Sequence, residues 1–188
     1  SFDTLKPLGA LKITFQKFYR ISGGATQLRG VTPDIVLPDV ETYIEIGEKG
    51  QDHAMAWDEI PTVKYDQWNI IPDGNKLRKS SEGRIKANPS FVAVNEKALQ
   101  LKEQKENTIH TLQLKKYVEE RKLSKEKNKK YEEAVSKEIM EMSLTNLAID
   151  LPSIQSDSSK IARNKEWLKN LKKDSYLFEA TNVIGDME

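Results

Sequence analysis

The stretch Leu11-Lys12-Ile13-Thr14-Phe15-Gln16-Lys17-Phe18-Tyr19-Arg20-Ile21 constrains this chain most. Apolar positions 11, 13 and 15 alternate with polar positions 12, 14 and 16, and the pattern slips by one at Lys17-Phe18. A period of two describes a half-buried strand. A single slip predicts a bulge or a change of partner. Ser22-Gly23-Gly24 then ends the run, because two glycines reach positive φ without steric cost and permit a sharp reversal. In the following Gly30–Pro38 segment, Pro33 and Pro38 bracket a short apolar strand. Proline donates no ladder hydrogen bond, so that strand cannot be central along its whole length.

The chain has 188 residues, enough for one ordinary domain or a small one with an appendage. It contains no cysteine, which excludes disulfides and thiolate metal sites. Apolar residues make up 37% and charged residues 31%. That balance predicts exposed helices, and three Trp, six Tyr and five Phe argue against disorder throughout. Thirty Lys and Arg stand against 29 Asp and Glu, so the total charge of +1 demands neither nucleic acid nor an anionic membrane. No apolar run approaches the length of a membrane-spanning helix. Ser1–Ala10 lacks the layout of a signal peptide, and an initiator Met is missing, as expected of an excised piece.

Beyond residue 39 the composition changes. Glu41–Gly50 is acidic with helical potential, and Ala54–Trp68 reads as irregular loop around Pro61. Leu77, Ser81 and Ile85 are four apart and predict a short helix over Asn75–Ala87. Asn88-Pro89 predicts the next helix start, with Asn88 as N-cap and Pro89 in the first turn. Phe91, Val94, Ala98 and Leu101 would line its buried face as far as about Glu106. Thr108–Leu114 alternates like a short strand. Lys115–Glu141 reads as one long helix, followed by a more buried end at Leu144, Leu147, Ala148, Ile149 and Leu151 that Pro152 stops. Ile154–Lys160 reads as a Ser/Asp-rich linker. Ile161, Leu168 and Leu171 stripe another helix. Asp174 and Ser175 cap a last one, with Leu177, Ala180, Thr181 and Ile184 on its face.

The residues that could carry chemistry are few. His53 and His110 each lack a second His or a carboxylate at i+3 or i+4, so structural or surface roles are expected and no metal site is assigned. No Gly-x-Ser-x-Gly elbow occurs, and Ser22-Gly23-Gly24 is expected to be a turn rather than a nucleophile. Lys49 sits in a charged stretch that would not desolvate it into a base. Gly23-Gly24 is followed by no Gly-Lys-Ser/Thr, so no phosphate loop is present. Lys115–Lys137 holds nine Lys/Arg and five Glu. Glu126 with Lys130 and Glu133 with Lys137 would pair along a solvated helix, so no nucleic-acid binding is expected.

Two segments carry a family resemblance. Leu11 to Ile35, with Lys17-Phe18-Tyr19-Arg20, a Gly-rich turn, Thr26-Gln27 and Gly30-Val31-Thr32-Pro33-Asp34-Ile35, resembles the end of the peptidase domain in tail-specific (C-terminal processing) serine proteases. Gly47-Glu48-Lys49, Asp52 and Ala54-Met55-Ala56-Trp57-Asp58 resemble the segment just beyond it. The two matches cover about a third of the chain.

The resemblance implies a bacterial, periplasmic endopeptidase that degrades proteins with apolar C-termini. It also implies a PDZ domain, and a Ser nucleophile with a Lys base in a Gly-Lys-Gly-x-x-Gln context, all upstream of Ser1. That lysine motif is absent here. No residue of this chain is therefore assigned a catalytic, cofactor-binding or metal-binding role, no cofactor is expected, and the fragment is expected to be inactive alone. The expected fold class is α+β: residues 1–38 supply closing strands of the peptidase domain, 39–74 an irregular connector, and 75–188 a helical C-terminal domain. The expected partners are the upstream PDZ and peptidase domains and protein substrates with apolar C-termini, with neither nucleic acid nor a transmembrane segment. The alternative is a stand-alone helical module for protein or nucleic-acid interaction.

Overall fold

The structure is a computed structural model describing residues 10, 11, 13–66 and 73–188. The N-terminal layout expected of residues 1–9, Lys12 of the first strand and Trp68 of the connector lie outside these residues. The chain divides into two units interleaved along the sequence. One comprises the described parts of Ser1–Pro33 and Ile46–Asn69; the other comprises Asp34–Glu45 and the described part of Ile70–Glu188.

The α+β expectation is overturned. Among the described residues there is no sheet, only the isolated bridges Tyr19↔Ala25 and Gly24↔Glu59. Leu11, Ile13 and Phe15, the expected buried face, are 85%, 66% and 80% exposed. Val31 and Val36 of the second expected strand are exposed as well. A strand persists only where a neighbour takes up its N–H and C=O groups. Here such pairing begins at the glycine turn: the Ala25 amide donates to Asp58 O at 3.1 Å, Ile60 to Gly23 O at 2.9 Å and Val63 to Ile21 O at 3.2 Å. Before Tyr19 the alternating sequence has a pattern but, among the described residues, no ladder.

Side chains hold that turn. Trp57 Nε1 donates to Ala25 O at 2.8 Å, and the Arg29 guanidinium stacks 3.5 Å from the Trp57 ring centroid. Lys17 reaches Asp58 at 3.1 Å. Gln27 Nε2 donates to the Glu48 carboxylate, which places the Gly47–Gly50 3-10 turn against the loop that follows Gly24.

The second unit is helical: α1 Gly74–Ala87, α2 Pro89–Glu106, α3 Leu114–Val135, α4 Leu151–Gln155, α5 Ser158–Leu171 and α6 Ser175–Gly185. Sequence spacing reads the first two well. Leu77, Ser81 and Ile85 are the buried residues of α1. The Asp73 carboxylate caps α1 by accepting from Asn75 and Lys76 amides. Asn88 caps α2 by accepting from Ser90, and Pro89 occupies the first turn, where its missing N–H costs nothing. Phe91, Val94 and Ala98 are buried as expected, while Gln100 is buried beside the half-exposed Leu101. Helix α2 packs on α1 and α3, α1 on α6, and α4 on α5. Phe91 meets Tyr176 of α6 edge to face at 5.3 Å.

Further expectations are corrected. Thr108–Gln113 is irregular connection, not strand, and Leu114 already opens α3. Helix α3 ends at Val135 rather than Glu141, because the next segment turns so that the Ile139 amide donates to Lys172 O at 2.8 Å, an orphan carbonyl at the end of α5. Leu147 and Ile149 are 69% and 84% exposed, not buried. Pro152 opens α4 instead of stopping a helix, and the expected linker after it holds the end of α4 and the start of α5, where Asp157 accepts from the Ser159 amide at 3.0 Å. On α6 the inward residues are Ser175 and Glu179, while Ala180, Thr181 and Ile184 face outward.

Candidate functional site

Catalysis by nucleophilic attack needs a hydroxyl beside a desolvated base. Ser22 contributes its backbone: its carbonyl accepts from Thr62 Oγ1 at 2.9 Å, within a turn where Gly23 has φ +89°. Lys49 is exposed in the 3-10 turn. One Ser–Lys contact that the sequence reading did not single out does occur: Lys160 Nζ donates to Ser156 Oγ at 3.1 Å. Both residues are exposed at the start of α5, the lysine is the donor, and Ser156 Oγ in turn donates to Ser153 O at 2.8 Å. This is helix-start scaffolding, with neither the desolvation nor the direction of a base–nucleophile pair. The i,i+4 spacing could have revealed it.

His53 is exposed in a turn, with φ +64°. His110 is exposed in the α2–α3 connection. The two are not brought together with acidic partners, and among the described residues no group of three or more His, Asp or Glu side chains could hold a metal ion.

The surfaces of α2 and α3 form two open clefts. The first, about 680 Å³, lies between apolar Val92, Leu99 and Tyr131 and the charged Glu96, Lys97 and Lys130. The second, about 900 Å³, includes His110, Leu112, Tyr117 and Leu123. Lys97 Nζ donates across the helix pair to Asn128 Oδ1 at 2.5 Å, and Ser90 Oγ to Ala134 O at 3.1 Å. The expected pairs Glu126–Lys130 and Glu133–Lys137 do not form; Glu133 instead pairs with Lys129 at 3.8 Å. Lys137 lies beyond the end of α3 and so has lost the helical register.

The strongest polar constellation joins α1 to α6. Arg84 Nε donates to both Glu179 oxygens at 3.1 Å, Nη2 donates to Oε1 at 2.8 Å, and Nη1 donates to Asp186 at 2.7 Å. The Glu179 side chain is only 4% exposed. Hydrogen bonding to Glu179 raises the Arg84 pKa further, against the opposing effect of burial. The arrangement is that of a structural clamp. Sequence periodicity missed it, because Glu179 reads as a surface residue of α6.

Residues 42–188 match the family described as the C-terminal domain of tail specific protease. A tail-specific protease from Haemophilus influenzae is 46% identical over 94 residues, which are 48% of this chain and 14% of that relative's length. No solved structure gives a significant match.

Proposed function

Because the chain belongs to the family of tail-specific protease C-terminal domains, with residues 42–188 matched, we propose that it is the noncatalytic C-terminal portion of a serine-type endopeptidase that recognises apolar C-termini. Its work is mechanical: it braces the upstream Ser-Lys peptidase core and offers helical surfaces alongside it. The match over most of the chain carries this reading. The site chemistry supports it, since the Ser156–Lys160 contact is solvent-exposed with the lysine donating.

The reading extends to a PDZ domain upstream, to protein substrates with apolar C-termini and to a periplasmic location in a bacterium. Among the described residues no helix is long and apolar enough to cross a membrane. The test is deletion of residues 75–188 from the complete protease. Degradation of an unfolded protein ending in apolar residues should fall sharply in the deletion. Undiminished degradation would overturn the bracing role. Cell fractionation checks the location, and recovery with cytoplasmic markers would contradict it.

A further inference from the structure

Asp34–Glu45 belongs to the helical unit, yet the chain on either side of it, up to Pro33 and on from Ile46, belongs to the other unit. The segment is therefore a strap laid on the helices between two stretches of the glycine-turn unit. Three helices hold it. Arg78 Nε of α1 donates to Asp34 O at 3.1 Å. The Tyr176 hydroxyl of α6 donates to Pro38 O at 2.7 Å. Lys102 Nζ of α2 lies 5.4 Å from the centroid of the Tyr43 ring. Tyr176, the middle anchor, itself stands edge to face on the fully buried Phe91. Ile35, Leu37, Val40 and Ile44 are half-buried, while Val36 is 68% exposed, so one apolar edge of the strap is shielded. The strap also closes on itself, the Thr42 and Ile44 amides donating to Asp39 O and Glu41 O at 3.2 and 2.8 Å.

The glycine-turn unit has little of its own to hold it together. Among the described residues, Ala25 is its one buried apolar side chain. The pairing that orders it is non-local: Trp57 Nε1 reaches Ala25 O across 32 positions of sequence, and the Ala25 and Ile60 amides cross the same interval. The strap lies inside that interval. Closing a loop costs less entropy when part of it is already fixed, because fewer free residues remain to be confined. Pinning Asp34–Glu45 on the helices thus shortens the free chain between the two paired stretches.

We propose that Asp34–Glu45 is a conformational coupler, through which order in the helical unit stabilises the pairing around Gly23 and Gly24. The coupling runs along the chain through the joints at Pro33 and Ile46 and needs no surface contact between the units. Lifting the strap from α1 and α6 loosens the glycine-turn unit at a distance, while the helices keep their own core of Leu77, Ile85, Phe91, Val94 and Ala98. This coupling goes beyond the proposed bracing role and does not depend on it.

Native-state hydrogen exchange on the 188-residue chain tests it. Arg78→Ala with Tyr176→Phe removes two anchors and retains the ring that packs on Phe91. The pair should speed exchange at the Ala25 and Ile60 amides by about threefold or more, the change that one doubling of a free loop makes. The Val94 and Ala98 amides of α2 should keep their protection. Arg78→Ala alone provides the milder comparison where the pair loosens α2. Asp157→Ala, which uncaps α5 without touching the strap, should leave Ala25 and Ile60 unchanged. Coupling is reciprocal, so Gly23→Ala, which sets a Cβ 2.1 Å from Ile60 O, should speed exchange at Thr42 and Ile44 of the strap. Unchanged exchange at Ala25 and Ile60 in both Arg78 variants, equal acceleration from Asp157→Ala, or a strap indifferent to Gly23→Ala would each overturn the proposal.

Discussion

Arg84 and Glu179, 95 positions apart in sequence, form a bidentate ion pair in which one guanidinium reaches both carboxylate oxygens at 2.8–3.1 Å. The carboxylate is nearly out of solvent, while the guanidinium is 31% exposed. Breaking such a pair from one side leaves a buried charge without compensation, whereas replacing both partners removes the burden along with the bond.

Arg84→Ala should therefore destabilise the helical unit by about 3 kcal/mol. The double variant Arg84→Met, Glu179→Leu should recover much of that loss. Denaturant unfolding of Arg84→Met, Glu179→Leu and the double variant measures the coupling. Additive single effects would show that the pair is not the clamp between α1 and α6.

Gly23 and Gly24 should behave differently. Gly23 has φ +89°, and a Cβ there would sit 2.1 Å from Ile60 O. Gly24 has no positive φ, and a Cβ would meet Trp57 at an ordinary 3.6 Å. Gly23→Ala should cost more than about 1 kcal/mol, while Gly24→Ala should be tolerated. Thermal melting followed by Trp fluorescence distinguishes the two, and equal melting of both variants would contradict the turn geometry.

The Tyr176 hydroxyl donates to Pro38 O at 2.7 Å, holding Asp34–Glu45 against α6. Burial raises its pKa, with Asp39 adding in the same direction. The folded protein thus holds this proton more tightly than the unfolded chain does. The associated stability is complete below the unfolded value of about 10 and is lost as pH rises through the higher folded value. Tyr176→Phe should cost about 1 kcal/mol at neutral pH, and its deficit against the parent chain should narrow above about pH 10. A constant deficit across that range would argue against the hydrogen bond.

Asp174 caps α6 by accepting from the Tyr176 and Leu177 amides at 2.9 and 3.0 Å. Asp174→Ala should lower stability by about 1 kcal/mol, and Asp174→Asn by much less. Urea unfolding of the pair tests the capping assignment.

These features mark the limits of what the sequence discloses. Helices α1 and α2 are legible because their stripes, Leu77-Ser81-Ile85 and Phe91-Val94-Ala98, and their caps are local. The inward face of α6 is not, because a charged residue turns inward there to meet Arg84, a partner that helical periodicity cannot name. Leu11–Phe15 carries a clear alternation, yet a strand is a relation between segments, and among the described residues no ladder forms before Tyr19. Pro152 misleads as a stop because proline both ends helices and opens them. The lack of a catalytic assignment rests on a missing motif, and the i,i+4 spacing of Ser156 and Lys160 hints at a contact whose direction only the structure gives.

That contact makes the central claim directly measurable. The isolated 188-residue chain, incubated with an unfolded protein ending in apolar residues and followed by mass spectrometry, is predicted to yield no cleavage products. Cleavage that persists through repurification and disappears in Ser156→Ala would contradict the account, because it would place the nucleophile within this chain.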